Sequence, residues 1–185
     1  KKIIKVITHT NPQRTFGADV MTRIDYCRKN GVNELQKAVI SEINLIISEF
    51  NLQNIEKLYV SGNATMLHLF FGIDCSAMGV APYTPEFLES KTEKGENLGI
   101  IGVETVESLP SIAAFVGADL VAGLNFVGMP ENGKHNLLID LGTNAEIVLF
   151  SEKSALCTAA AAGPCFEGAN ISCGKSAIGG AISSF

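Results

Sequence analysis

Leu138-Ile139-Asp140-Leu141-Gly142-Thr143-Asn144-Ala145-Glu146-Ile147 reads as a strand that closes on a carboxylate, reverses at Gly-Thr-Asn and returns as a second strand. Apolar runs of strand length flank the reversal, His135 to Asp140 before it and Glu146 to Phe150 after it. Ser151-Glu152-Lys153-Ser154 then separates the second run from a third, Ala155 to Ala159, so a three-stranded meander is expected. Upstream, Pro130-Glu131-Asn132-Gly133 is the clearest break in the chain. Before that break helical and strand periods alternate, and after it strands cluster. This order argues for an α/β layer structure rather than a sandwich or a bundle.

The alternation can be followed residue by residue. Lys2 to Thr10 interleaves β-branched and polar residues and meets Asn11-Pro12, which predicts a strand ending in a turn. Val20, Met21, Ile24 and Cys27 share a helical face that stops at Asn30-Gly31. Leu35, Ala38, Val39, Ile43, Ile46, Ile47 and Phe50 predict a longer helix with Asn33 as its N-cap. Lys57 to Ser61 is a short strand, and Ala64 to Phe71 a helix capped by Asn63. Residues 74–100 read as an irregular crossing and Val103 to Ser108 as a strand. Ser111 to Met129 predicts a helix buried on most sides, since Asp119 is its only charge. Gly-Ala-Asp occurs twice, at Gly17-Ala18-Asp19 and at Gly117-Ala118-Asp119, an internal echo that would fit a duplicated half-domain.

Composition narrows the function. Across 185 residues, hydrophobic types make up 46% and charged types 18%, which excludes intrinsic disorder. Lys and Arg total 14 against 19 Asp and Glu, and a net charge of −5 offers no footprint for nucleic acid or an anionic membrane. Apolar stretches are too interrupted by Gly, Pro and Asp to span a bilayer. Five cysteines, an odd number without C-x-x-C, fit a reducing, cytoplasmic setting. The eight-residue steps Cys157, Cys165, Cys173 match no usual ligand loop, so these thiols are read as small buried hydrophobes. No P-loop, dinucleotide fingerprint, nucleophile elbow or H-x-x-x-H motif is present.

The chemistry-bearing residues concentrate at turns. A glycine at 142 would let the hairpin take φ > 0 and approach an oxyanion, with exposed amides and the Thr143 hydroxyl as donors. Asp140 could hold Mg²⁺ through water. The same residue types also suit an ordinary tight turn. Ala161-Ala162-Gly163-Pro164-Cys165-Phe166-Glu167-Gly168-Ala169 combines close-approach glycines with one carboxylate, as a nucleotide cleft or a packed turn would. Ser61-Gly62-Asn63-Ala64-Thr65 sits at a strand-to-helix junction, where capping competes with anion binding. Asp19 and Asp119, each on a largely apolar helix, must cap, pair or face a site.

Taken together and in order, several motifs resemble the reductive activators of corrinoid proteins, members of the acetate and sugar kinase, Hsp70 and actin superfamily. They are Asn11-Pro12-Gln13, Phe16-Gly17-Ala18-Asp19-Val20 with Arg23-Ile24, Gly62-Asn63-Ala64-Thr65-Met66 with His68, and Phe115-Val116-Gly117-Ala118-Asp119. Asp140 to Ile147 and Ala161-Ala162-Gly163-Pro164 with Phe166-Glu167-Gly168-Ala169 complete the set. The resemblance implies a partial actin-like, ribonuclease H-like ATPase fold. Residues 1–130 would be the remainder of the first half, lacking its phosphate hairpin, and 131–185 the start of the second. It implies Mg·ATP as cofactor, an iron–sulfur cluster in a domain outside this chain, and a Co(II) corrinoid protein as partner.

Under the resemblance Asp140 is the catalytic, Mg²⁺-organising carboxylate. Gly142, Thr143, Asn144, Gly163 and Glu167 would meet nucleotide, and Asp19, Asn63 and Asp119 would line a cleft or partner surface. Two departures stand out: Ala145 replaces a usual glycine, and Lys175-Ser176 a usual Met-Arg pair. The resemblance makes the full-length protein an ATPase-coupled activator and this piece inactive on its own. A non-catalytic docking module for the corrinoid protein and a small-molecule kinase are the competing readings. Oligomeric state is left open, with a homodimer as one option.

Overall fold

A computed structural model describes residues 3–131, 133–142 and 144–161. The chain divides into two compact units, Lys1–Val127 and Gly128–Phe185.

In the first unit, helix α1 (Val20–Asn30) begins with a capping box. The Asp19 side chain accepts from the Thr22 amide at 2.8 Å, and the Thr22 hydroxyl accepts from the Asp19 amide at 3.1 Å. Helix α2 (Asn33–Phe50) starts at Asn33 itself, with no side-chain cap, so the expected N-cap role of Asn33 is not met. It ends on Asn51 in the left-handed conformation. Strand β1 (Ile55–Val60) leads through Gly62-Asn63 into helix α3 (Ala64–Phe71), capped as expected by Asn63 Oδ1 accepting from the Met66 amide at 2.9 Å. Seven of the eight residues of α3 are buried.

Residues 74–100 carry more order than the sequence suggests, with a 3-10 turn (Ser76–Gly79), strand β2 (Thr92–Lys94) and the short helix α4 (Gly95–Leu98). Strand β3 (Val103–Ser108) runs parallel to β1 and antiparallel to β2, in the order β1-β3-β2. Tertiary pairing with β3 selects β2, which at three residues is too short to show a period. Helix α5 spans only Ala118–Val127, not Ser111 to Met129. A tight turn delays it, in which the Ile112 and Ala113 amides donate to the Val116 carbonyl. Nor is the segment buried on most sides, because Phe126 is 91% exposed and Val127 and Met129 also face out.

Two clusters share α3. Leu67, Phe70 and Phe71 pack with Ile40, Phe87, Ile100, Val103 and Val106, while Ala64 and Leu69 pack with Ile24, Cys27, Leu35, Cys75 and Met78. Residues 3–10, expected as a strand, form none. They lie extended along α2, where Lys5 Nζ donates to the Glu49 carbonyl at 2.7 Å and His9 meets Glu42 and Glu49. Side-chain anchorage to a helix replaces the ladder that the alternation anticipates.

The second unit contains the expected meander: β4 (Asn136–Leu141), β5 (Asn144–Phe150) and β6 (Ala155–Ala161), all antiparallel. Among the described residues of its strands Val148 and Phe150 are buried. Cys27 and Cys75 are buried, as small hydrophobes should be, but Cys157, on the outer strand β6, is exposed, against expectation. Cys165 and Cys173 lie outside the described residues. Among the described residues no helix is long and apolar enough to cross a membrane.

His68, fully buried on α3, places Nδ1 2.7 Å from the Ala64 carbonyl, and its Nε2 accepts from the Glu86 amide at 3.0 Å. Both bonds are made at once by the neutral Nδ1–H tautomer, and the ring stacks on Phe87 at 4.4 Å. Burial holds its pKa below the ordinary value of 6.5. Protonation therefore favours the unfolded chain, so this group's contribution is present above about pH 6.5 and is lost as pH falls from there toward the lowered folded value. A His68→Gln variant should lose less stability than the wild type between pH 7.5 and pH 5, read as the shift in urea midpoint. Equal shifts would contradict the assignment.

Candidate functional site

Two groups of predicted residues have resolved geometry, one in each unit. In the first unit the polar residues gather where helices begin, beyond the carboxyl ends of the parallel strands, which is where ligands meet open α/β sheets. The Gly62 carbonyl accepts from the amides of Ala118 and Asp119 at 3.0 and 3.3 Å, joining the start of α5 to the loop that starts α3. A Cβ on Gly117 would stand 2.4 Å from Asn63 Cα and 2.9 Å from the Gly62 carbonyl oxygen, so only glycine fits there. Gly17 is confined in the same way, its Cβ position lying 2.8 Å from the Arg23 amide nitrogen. Both copies of Gly-Ala-Asp therefore open a helix at a point of close backbone approach.

Arg23, largely buried, ties these starts together. Its Nε donates to the Gly17 carbonyl at 2.9 Å and its guanidinium meets Met66 Sδ, in the first turn of α3, at 3.2 Å. Burial lowers the Arg23 pKa from its ordinary value, opposed by the charge of Asp19. Thus Asp19, Asn63 and Asp119 head α1, α3 and α5 respectively. Asp19 and Asn63 act as caps. Asp119 is exposed and accepts from the Leu120 amide at 3.0 Å. Arg23 did not stand out as a site residue in the sequence, although its place one turn after Val20 and beside Ile24 puts it on the buried side of α1.

In the second unit, β4 and β5 pair so that Asp140 stands directly across from Glu146, with Leu141 across from Ala145. Asp140, Gly142 and Asn144 are exposed. The expectation for Gly142 is overturned. Its φ lies outside the left-handed region, and its amide donates to the Asn144 carbonyl at 2.8 Å, inside the turn. The hairpin closes through this bond and gains its reversal without a positive φ at 142. The Gly142 amide is thereby unavailable to an anion, while the Asn144 side chain and the Asp140 carboxylate remain at the surface. Thr143, Gly163 and Glu167 lie outside the described residues. Among the described residues no group of three or more His, Cys, Asp or Glu is arranged to hold a metal.

Residues 1–132 match the family model described as the RACo middle region, and residues 134–185 match the model for the C-terminal ASKHA domain of RACo. The chain is 33% identical to the corrinoid activation enzyme RamQ of Eubacterium limosum, the match covering 93% of this chain and 30% of that protein. It is 30% identical to the [Co(II) methylated amine-specific corrinoid protein] reductase of Methanosarcina barkeri, covering 90% and 33%. Among solved structures, a reductive activator for corrinoid, iron–sulfur protein superposes with a TM-score of 0.78 at 37% identity, over 93% of this chain and 29% of that one. The chain thus spans about a third of the length of these relatives.

The two glycines make opposite predictions. Gly117→Ala should cost roughly 1–3 kcal/mol, since its Cβ would collide with backbone. Gly142→Ala should change stability by less than about 0.5 kcal/mol, because its Cβ would meet only ordinary contact, 3.6 Å from the Asn144 carbonyl. Denaturant titration of both variants checks this. A costly Gly142→Ala would restore the turn geometry expected from sequence.

Proposed function

Because this chain belongs to the RACo family, we propose that it is the nucleotide-binding ATPase module of a protein that reductively activates Co(II) corrinoid proteins. In this reading ATP is coupled to electron transfer from an iron–sulfur cluster carried elsewhere in the polypeptide, and a corrinoid protein is the partner.

The observation that carries the reading is the place of Asp140, exposed near the end of β4 at the turn into β5. An exposed carboxylate beside a tight turn is the kind of oxygen ligand that a hard divalent cation takes. The residues fit Mg²⁺·phosphate in part. Asp140 would orient the cation through bound water, and the exposed Asn144 side chain would donate to a phosphate oxygen. Gly142 supports the turn through its bond to Asn144 instead of binding phosphate itself. Thr143, Gly163 and Glu167 take their nucleotide-binding roles from the resemblance. When bound, Mg²⁺ would neutralise charge on the phosphates. Residues 131–185 would open the second half of the ATPase and 1–130 complete the first. Asp19, Asn63 and Asp119 would contribute a cleft or partner surface at the helix starts.

One observation favours the competing docking reading: the amide expected to grip phosphate is turned inward. Asp140→Asn in the full-length protein separates the two. The ATPase reading predicts a loss of Mg²⁺-dependent ATP hydrolysis of about 10- to 100-fold, the range for removing a group that orients a metal through its outer shell. The circular dichroism spectrum and unfolding midpoint should stay unchanged. Wild-type turnover in that variant would transfer support to docking.

A further inference from the structure

We propose that Cys27 and Cys75 form an oxidisable dithiol inside the first unit, which a small peroxide converts to a disulfide. Both thiols are free and buried in one core cluster, with Ile24, Leu35, Leu69 and Met78 around them. Cys27 lies on the buried face of α1, and its Sγ donates to Asp74 Oδ1 at 3.4 Å, so it reaches the residue directly before Cys75. The Cys75 thiol in turn hydrogen-bonds with that of Cys27. Two thiols in contact differ from two separate small hydrophobes, because either sulfur can displace a leaving group from the other.

The structure around the pair holds this contact. Asp74 accepts from the Ser76 amide at 2.9 Å and from the Ser76 hydroxyl at 2.6 Å, which fixes the carboxylate that Cys27 addresses. These bonds, those from Ser76 foremost, hold the Asp74 carboxyl below its ordinary value and keep it an acceptor. Four residues after Cys75, Gly79 lets the 3-10 turn lie against α1, since a Cβ there would stand 2.7 Å from Ile24 Cγ2, one turn before Cys27. A cavity of about 150 Å³ opens at this contact, lined in part by Ile24, Arg28, Ser76 and Gly79. Arg28 and Ser76 are the chain neighbours of the two cysteines. A space of this size admits water-sized solutes, hydrogen peroxide included, while the packed core turns bulky reagents away.

Burial first, and Cys27 after it, push the Cys75 thiol up from its ordinary range, so Cys75 keeps its proton and Cys27 attacks first. Cys27 gives up its proton and its sulfur bonds to one peroxide oxygen. The O–O bond breaks, and the departing hydroxide takes that proton to become water. Cys27 is then a sulfenic acid. The Cys75 sulfur displaces the sulfenic hydroxyl, which leaves with the Cys75 proton as a second water while the S–S bond forms. Two electrons have passed from the sulfurs to the peroxide, and a thiol reductant returns them. The link would close a loop containing α2, β1 and α3 and clip α1 to the segment before the 3-10 turn.

Full-length protein titrated with hydrogen peroxide to the dose that oxidises the exposed Cys157, then quenched in acid, unfolded, alkylated and mapped by peptide mass, reports the state of both thiols. We expect a Cys27–Cys75 linked peptide that dithiothreitol reverses. It should exceed any peptide joining either cysteine to another by at least about tenfold, the advantage of a reaction within one core. In Cys75→Ser, dimedone should instead trap the sulfenic acid on Cys27. Cys27 and Cys75 recovered as alkylated thiols at that dose, or joined to other cysteines, would overturn the dithiol. A folded Cys75→Ser variant whose Cys27 stays unlabelled would overturn the order of attack.

Discussion

Helix α3 can occupy the middle of the first unit because each polar group it brings there is answered. Asn63 takes the Met66 amide, Ala64 and Glu86 hold the two nitrogens of His68, and Gly72 closes the C-terminal end in the left-handed conformation. An unanswered amide or imidazole at this depth would cost on the order of 1–3 kcal/mol. With those groups satisfied, Leu67, Phe70 and Phe71 can face one core cluster while Ala64 and Leu69 face the other. The starts of α1 and α5 are then fixed relative to α3 by Arg23 and by the Gly62 carbonyl. The candidate cleft residues of this unit are where they are because α3 is.

That framework was largely legible in the residues. The periods of α1, α2 and the β4–β5–β6 meander, the cap at Asn63 and the strand at Val103–Ser108 are local signals, and local physics decided them. The failures share a different cause. β2 exists only because β3 offers it an edge, and α5 starts late because the Val116 carbonyl captures the amides before it. Residues 3–10 keep a strand's alternation but find a helix instead of a ladder. In each case a partner distant in sequence outvoted the pattern.

The site divides along the same line. Asp140 stands on its strand at the expected place, because alternation and a turn signal suffice to put it there. The Gly142 backbone could not be read in advance, since a hairpin of this sequence can close in more than one way and glycine permits them all. In the proposed reading the phosphate-facing role passes from the amide at 142 to the side chain of Asn144, with Asp140 turned to the cation. This leaves the family assignment untouched, because that rests on matches along nearly the whole chain. Doubling of Gly-Ala-Asp also takes on a physical sense: each copy supplies a glycine without which two backbones would collide and an aspartate at the head of a helix.

The most direct test of the central claim is to locate the metal of a bound nucleotide. In full-length protein with isotope-labelled isoleucine methyl groups, Mn²⁺·ATP should broaden the signals of Ile139 and Ile147, which flank Asp140 and Glu146, far more than those of Ile24 or Ile40. Mn²⁺ alone should broaden them less. Broadening centred on other isoleucines, or none at saturating Mn²⁺·ATP, would contradict a nucleotide site at the β4–β5 hairpin.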